Sequence, residues 1–185
     1  MEGESEAGKN CMEAEVFARK GEPGLAIAHL HEALKTSPEN ALIHYELAVL
    51  LEDSNRKESI KHYLASAKAD PRESDVQYAL GRLYGMEGEM ENSIRCFTEC
   101  IRLDPFDSRP YCGLGVAYNV RKDNTKSIEC LQKAIELNPK DPVAYELLGD
   151  VKAEAGDKEN ALKNYKRSCE LTSSERIKEK IRGLR

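Results

Sequence analysis

A proline recurs along this chain at a nearly constant spacing, and this constrains the fold more than any other feature. Pro38, Pro71, Pro105 and Pro139 lie 33, 34 and 34 residues apart, and a polar residue precedes each of them. A period of about 20–50 residues indicates a repeat protein, in which each unit is one supersecondary element. The chain is therefore best interpreted as an array of equivalent units.

Three further sets of equivalent positions keep this period, two of them small and one bulky. The first small column comprises Ala14, Ala48, Gly81, Gly115 and Gly149, the second small column comprises Ala26, Ser59, Ser93, Ser127 and Ala161, and the bulky column comprises Leu30, Tyr63, Phe97, Leu131 and Tyr165. A small residue lets two helices approach closely, and a bulky residue fills the space beside it. Because one unit alone leaves an apolar face exposed, we expect the units to stack.

Each unit carries the signals of two helices. In the last unit, Asp141 is a candidate N-cap and Pro142 lies in the first turn, where no backbone donor is needed. Gly156 is expected to end the first helix, because glycine tolerates a positive φ. The same turn is expected in the other units at Gly21, Asn55, Gly88 and Asp123–Asn124.

These columns resemble the tetratricopeptide repeat family. Its pattern has a small residue in the first helix, an aromatic residue three positions later, then alanine, an aromatic residue, alanine and proline. Two units match it, at Gly81, Tyr84, Ser93, Phe97, Cys100 and Pro105, and at Gly115, Tyr118, Ser127, Leu131, Ala134 and Pro139. The resemblance implies an all-α fold, a right-handed superhelical α-solenoid of five helix pairs plus a C-terminal capping helix.

We expect a single domain over residues 1–185, with repeats at about 7–40, 41–73, 74–107, 108–141 and 142–174 and the capping helix at 174–185. The tail carries Ile177, Ile181 and Leu184 as one narrow apolar stripe among charges. We expect this stripe to cover the exposed face of the last repeat. The alternative is an amphipathic helix that binds a partner.

In this family the first helices of successive repeats line a concave groove that binds extended or helical peptides. The resemblance therefore implies a partner-binding site at set offsets from the first small column, formed by Leu42, Tyr45, Val49, Tyr78, Arg82, Arg109, Cys112, Val116 and Asn119. Tyrosines beside arginines are frequent in binding hot spots. In the alternative interpretation these residues only pack on neighbouring helices, and Arg82 and Arg109 pair with Asp75 and similar acids.

Some members of the family hold the C-terminal carboxylate of chaperones with lysine, asparagine and arginine residues on three successive first helices. Here the matching places carry Cys11 and Glu15, then Glu46, then Asp75 and Ala79. Since acids at these places disfavour the binding of another carboxylate, binding of a chaperone tail is disfavoured.

Composition narrows the partners further. The net charge of -5 and the lack of a long basic block argue against nucleic acid. No stretch approaches the roughly 20 apolar residues of a membrane helix, so we expect no membrane partner. Six cysteines at irregular spacing favour reduced thiols over disulfides, and hence a cytoplasmic protein.

Catalysis needs a positioned nucleophile, base or metal, and no motif of this kind occurs in the sequence. We therefore expect no enzyme activity, no catalytic residue and no cofactor. His29, His62, Cys96 and Cys130 occupy equivalent places in successive second helices and form a ladder of possible ligands. Packed helices lie about 8–10 Å apart, whereas zinc holds its ligands at about 2.0–2.3 Å, so we expect no metal site.

Two functional hypotheses follow from these observations. The first is a protein–protein interaction adaptor or scaffold that binds a peptide segment of a partner protein in the groove. The alternative is a self-associating scaffold, a homo-oligomer in which a terminal repeat or the tail helix occupies the groove of a neighbour.

Overall fold

A computed structural model of the chain describes residues 5–184, and these residues form eleven α-helices and no strand. The helices are α1 (Glu6–Arg19), α2 (Pro23–Thr36), α3 (Ala41–Leu51), α4 (Arg56–Ala69), α5 (Ser74–Met86), α6 (Met90–Leu103), α7 (Arg109–Val120), α8 (Asn124–Leu137), α9 (Pro142–Glu154), α10 (Lys158–Thr172) and α11 (Glu175–Leu184). In chain order they correspond to five pairs of a first and a second helix, followed by α11.

Short polar side chains begin several of these helices. Asp141 accepts a hydrogen bond from the backbone N–H of Val143 at 2.9 Å, as predicted, and Pro142 follows in the first turn of α9. Asn55, which was expected in a turn, is the N-cap of α4 and accepts from the N–H of Glu58 at 3.3 Å. Each bond satisfies a backbone donor that has no partner within its helix.

Residues with positive φ lie in the turns after four of the first helices. Gly21, Gly88 and Gly156 have φ values of 77°, 79° and 81°, which confirms this part of the turn prediction. In the fourth pair Asp123 lies in the predicted connection, whereas Asn124 already begins α8. Lys122 takes the left-handed conformation there with φ 63°, and Asp123 is the N-cap of α8.

The small and bulky columns meet inside the helix pairs. A Cβ atom added to Gly149 would lie 2.5 Å from the ring of Tyr165, and one added to Gly115 would lie 2.6 Å from Leu131. These helices therefore approach more closely than any side chain on the glycine would allow. Ser127 of the second small column donates from Oγ to the carbonyl of Gly115 at 2.7 Å, so its buried hydroxyl is satisfied.

The chain divides into two compact units, named unit 1 (Met1–Leu83) and unit 2 (Tyr84–Arg185). The core of unit 1 includes Leu30 and Leu47, which are almost fully buried. In unit 2, Ile177 of α11 is 2% exposed and packs with Tyr165 of α10, so the stripe of the tail helix is covered by the last helix pair. No helix among the described residues has the length and apolar character to cross a membrane.

Candidate functional site

The nine side chains predicted to bind a partner lie on three first helices. They are Leu42, Tyr45 and Val49 on α3, Tyr78 and Arg82 on α5, and Arg109, Cys112, Val116 and Asn119 on α7. The first five belong to unit 1 and the last four to unit 2. Leu42, Val49 and Val116 are exposed, whereas both tyrosines are half-buried.

A surface depression of about 350 Å³ in unit 1, named the α3–α5 pocket, contains part of this set. Its lining consists of Ala41, Leu42, Tyr45, Ser66, Asp70, Glu73, Asp75 and Val76. The apolar surface comes from α3 and from Val76 at the beginning of α5. The acids come from the connection between α4 and α5 and from the first turn of α5. The pocket therefore combines apolar surface with negative charge.

The electrostatics of the α3–α5 pocket are evident at Tyr45. Its ring packs edge-on against Tyr63, with the ring centroids 5.8 Å apart. Burial raises the pKa of the Tyr45 phenol, and the carboxylates of Asp75, Glu52 and Glu73 raise it further. The phenol is therefore neutral at physiological pH, and the pocket presents a negative potential to a ligand.

Arg82 is held by an acid of the preceding first helix. Its Nη2 lies 2.5 Å from Oε2 of Glu52, and the hydroxyl of Tyr63 donates to Oε1 of the same carboxylate at 2.7 Å. For Arg82, this pairing agrees with the alternative interpretation, in which the arginines pair with acids of the same chain. The acid observed beside Arg82 is Glu52. A ligand carboxylate that approached Arg82 would therefore also meet the negative charge of Glu52.

Unit 2 has a comparable depression of about 290 Å³, named the α7–α9 pocket. Its lining includes Val116, Asn119, Val120, Leu147, Asp150 and Glu154. Nζ of Lys122 is 3.5 Å from Glu154, and Nζ of Lys180 is 2.7 Å from Asp150. The two acids of this pocket are thus paired with lysines of the same chain.

Two predicted residues of α7 lie away from these pocket linings. Nη2 of Arg109 contacts Asp107 at 2.8 Å, at the beginning of the helix. Sγ of Cys112 is 3.9 Å from a carboxylate oxygen of Asp141. Burial, followed by the charges of Asp141 and Asp107, raises the pKa of the Cys112 thiol to about 12. Cys112 is therefore a neutral thiol at physiological pH.

The structure brings four of the nine predicted residues into the two pockets, namely Leu42, Tyr45, Val116 and Asn119. Sequence reasoning missed Asp70 and Glu73 of the α3–α5 pocket, because the offset rule considered first helices alone. A signal was available in the concentration of acids between the end of α4 and the beginning of α5. Charge in the connections between repeats therefore belongs in any prediction of such a site.

Comparisons with known proteins agree with this architecture. Family models of the tetratricopeptide repeat match residues 11–59, 74–107, 108–141 and 130–163. The chain belongs to the tetratricopeptide repeat family. A search of the curated proteins gives no significant match.

Several solved structures are similar over most of the chain. Residues 41-end of MamA from Desulfovibrio magneticus RS-1 align with a TM-score of 0.86 and 21% identity, over 93% of this chain and 98% of that one. PilF of Pseudomonas aeruginosa aligns with a TM-score of 0.77 and 19% identity, over 97% and 86%. YrrB, described as a TPR protein with an unusual peptide-binding site, aligns with a TM-score of 0.76 and 16% identity, over 89% and 85%.

At these identities the likeness shows the fold, and the predicted all-α solenoid is confirmed. Family and fold together define the class of protein, a repeat scaffold for protein interactions. The single-domain assignment and the repeat boundaries stay predictions, as does the groove.

Proposed function

We propose that this protein is a non-enzymatic adaptor that binds a peptide segment of a partner protein, and that the α3–α5 pocket anchors this segment. One observation carries the proposal: Leu42 is 63% exposed at a depression whose lining also includes Tyr45 and Val76. A concave surface that combines apolar and aromatic side chains with a few charged groups is typical of a binding site. The proposed location is the cytoplasm, where the six free cysteines stay reduced.

The lining of the α3–α5 pocket favours a segment in which an apolar side chain lies next to a basic one. The apolar side chain would contact Leu42 and Tyr45, and a lysine or arginine would lie near Asp70, Glu73 and Asp75. Opposite charge across an interface increases the association rate and suppresses wrong partners. A segment that ends in a carboxylate, such as a chaperone tail, would be repelled by the same acids.

A selected peptide provides the test. Peptides displayed as a library are selected against the full chain, and the affinity of one synthetic binder is measured by fluorescence anisotropy. Leu42→Ala should weaken this affinity about tenfold, because truncation of an anchor residue costs more than about 1 kcal/mol.

Val143→Ala is the matched control, because Val143 is also an exposed apolar side chain, at 53%, but lies on α9 of unit 2. This variant should bind the peptide as the wild type does. Unchanged affinity in Leu42→Ala, or an equal loss in both variants, would remove the α3–α5 pocket from the proposal.

The alternative of self-association through the tail helix has less support. Ile177 of α11 is buried against Tyr165, and Arg176 and Lys180 pair with the carboxylate of Glu146. Release of α11 to a neighbouring copy would first expose Ile177 and break these pairs. Light scattering over a concentration series tests self-association by any route, and a strict monomer excludes it.

A further inference from the structure

Three helices of unit 1 bring histidines together beside a glutamate. One nitrogen of His31, one nitrogen of His62 and one carboxylate oxygen of Glu58 all lie within 4.8 Å of one another. His31 belongs to α2, and Glu58 and His62 belong to α4. His44 of α3 adds a third ring, whose centroid is 5.2 Å from that of His62. The proposed peptide-binding function uses none of these side chains.

We propose that His31, Glu58 and His62 bind a divalent transition-metal ion of the Zn²⁺ type, with a fourth ligand position left to water. Zn²⁺ takes imidazole nitrogen and carboxylate oxygen ligands in a tetrahedral arrangement. Glu58 and His62 are four residues apart on α4, so they lie on the same side of the helix.

The distances are compatible with this ion after a small adjustment. Ligand atoms in a tetrahedral zinc site lie about 3.5 Å from one another, since each is about 2.0–2.2 Å from the metal. Atoms that lie within 4.8 Å of one another therefore have to approach by at most about 1.3 Å. Rotation of the Glu58 and His31 side chains can supply this movement without a shift of the helices.

A chain of hydrogen bonds prepares His62 as a ligand. Nε2 of His44 lies 3.0 Å from the carbonyl oxygen of Pro38, so this nitrogen carries the hydrogen and donates it. With both rings neutral, Nδ1 of His44 then accepts from Nδ1 of His62, at 2.9 Å. Nε2 of His62 is left with a lone pair. Histidines that bind metals are commonly oriented through the other ring nitrogen in this way.

The carboxylate of Glu58 is also oriented. Nδ2 of Asn55 donates to Oε2 of Glu58 at 2.8 Å, and Oδ1 of Asn55 accepts from the backbone N–H of Glu58 at 3.3 Å. The first bond orients the carboxylate, and the second fixes Asn55 at the beginning of α4. Two of the three ligands are therefore positioned by neighbouring residues, as an outer shell positions the ligands of a metal site.

A purely structural role does not require a histidine at position 44. Tyr111 and Tyr145 occupy the equivalent place in later repeats, and their hydroxyls donate to the carbonyls of Pro105 and Pro139 at 3.5 and 3.3 Å. A tyrosine at position 44 could therefore donate a hydrogen bond to the carbonyl of Pro38 in the same way. What the imidazole of His44 adds is a separate acceptor atom that faces His62.

The proposed site differs from the ladder considered in the sequence. His29, the ladder residue of α2, stacks on Phe17 with ring centroids 5.3 Å apart, and its Nδ1 is 3.0 Å from a carboxylate oxygen of Glu13. The site instead uses His31, two residues further along the same helix. His29 thus offers a matched control in the same helix.

The experiment is isothermal titration of Zn²⁺ into the metal-free full chain, with Co²⁺ absorption as a second readout. We expect one ion per chain, and a loss of affinity of at least tenfold in both His31→Ala and Glu58→Gln. His29→Ala should bind as the wild type does. The Co²⁺ spectrum should lack the intense thiolate charge-transfer band of the near ultraviolet, since no cysteine is a ligand.

Three outcomes would overturn the proposal. One is the absence of saturable Zn²⁺ binding by the wild type. Another is Zn²⁺ binding by His31→Ala and Glu58→Gln that is as strong as that of the wild type. The last is a thiolate band in the Co²⁺ spectrum, which would assign the ion to cysteines. Misfolding is not expected to explain a loss of affinity in Glu58→Gln. Glutamine has the same length as glutamate and keeps a side-chain oxygen that can accept the hydrogen bond from Asn55.

Discussion

In each unit a tyrosine of the bulky column donates a hydrogen bond to an acid, and that acid pairs with a cation. The cation comes from a different kind of helix in each unit. In unit 1 the hydroxyl of Tyr63 donates to Glu52, and Glu52 pairs with Arg82 of α5. The arginine thus comes from the first helix of the following pair. One repeat is bonded in this way to the next.

In unit 2 the helix pair α9–α10 is followed by the tail helix α11, which supplies the cation. The hydroxyl of Tyr165 donates to Asp150 at 2.7 Å, and Asp150 pairs with Lys180 of α11 at 2.7 Å. Arg176 and Lys180 also pair with Glu146, which is 6% exposed. The capping helix therefore repeats the chemistry by which neighbouring repeats are joined.

The two pockets also differ in the acids that line them. Lysines of the same chain pair with the acids of the α7–α9 pocket, Asp150 and Glu154. In the α3–α5 pocket, the carboxylates of Asp75 and Glu73 help to raise the pKa of Tyr45. Three acids, Asp70, Glu73 and Asp75, line this pocket, whereas two acids line the α7–α9 pocket. For this reason the α3–α5 pocket is the proposed anchor for a basic ligand.

The largest expected effect comes from removing both cations of the cap. Arg176→Ala combined with Lys180→Ala leaves the buried carboxylate of Glu146 without these partners. Breaking a buried ion pair costs about 3–5 kcal/mol, and we expect a loss of about 3 kcal/mol in the free energy of unfolding. Urea denaturation followed by circular dichroism measures this loss.

Arg82→Ala is the corresponding change in unit 1. The side chain of Glu52 is 23% exposed and keeps the hydrogen bond from Tyr63, so we expect a loss of about 1 kcal/mol or less. Equal losses in the two variants would contradict the view that the cap depends more strongly on its ion pairs than the repeat junction does.

The first small column sharpens the comparison, because it holds Gly149 in unit 2 and Ala48 in unit 1. Gly149→Ala would place a Cβ atom 2.5 Å from the ring of Tyr165, which is 4% exposed and fixed by its bond to Asp150. Overpacking costs about 1–3 kcal/mol, which exceeds the gain of about 1 kcal/mol from helix propensity. We expect a net loss of about 1 kcal/mol in urea denaturation.

Ala48 occupies this column in unit 1 and is fully buried, so the packing there already accommodates a Cβ atom. Ala48→Gly should lose about 1 kcal/mol, because glycine weakens a helix interior. The two substitutions are the reverse of each other, yet both should destabilise the protein. A stabilised Gly149→Ala variant would show that the helix spacing in unit 2 is not set by Tyr165.

The helix pairs and their order could be predicted because their causes are periodic. Each repeat needs a small residue where helices approach, as at Gly115, and a cap where a helix begins, as at Asp141. The partner of Arg82 could not be read in the same way. Glu52 lies 30 residues earlier, and the sequence offers several acids at comparable distances.

The histidine cluster was missed for a related reason. Sequence reasoning compared equivalent positions of successive second helices, and the equivalent of His62 in α2 is His29, which stacks on Phe17. His31 and His62 are not equivalent, since the column of His62 contains His29. Their proximity depends on how far α2 and α4 are rotated about their axes, which a repeat period does not specify.

The smallest expected effect concerns the turn between α7 and α8. Lys122 has φ 63°, whereas Gly21 holds the corresponding left-handed position in unit 1 with φ 77°. A non-glycine residue in this conformation lowers the stability by about 1 kcal/mol. Glycine avoids this loss, but its greater conformational freedom in the unfolded chain offsets part of the gain. Lys122→Gly also loses the exposed pair with Glu154, which contributes a few tenths of a kcal/mol.

We therefore expect Lys122→Gly to stabilise unit 2 by about 0.5 kcal/mol and to raise the melting temperature by about 1–2 °C. Lys122→Ala is the control, because it removes the same pair with Glu154 but keeps a side chain at positive φ. Differential scanning calorimetry should rank the glycine variant above the wild type and the alanine variant below it. If the two variants melt together, the conformation of Lys122 carries no strain, and the turns of the two units are energetically equivalent.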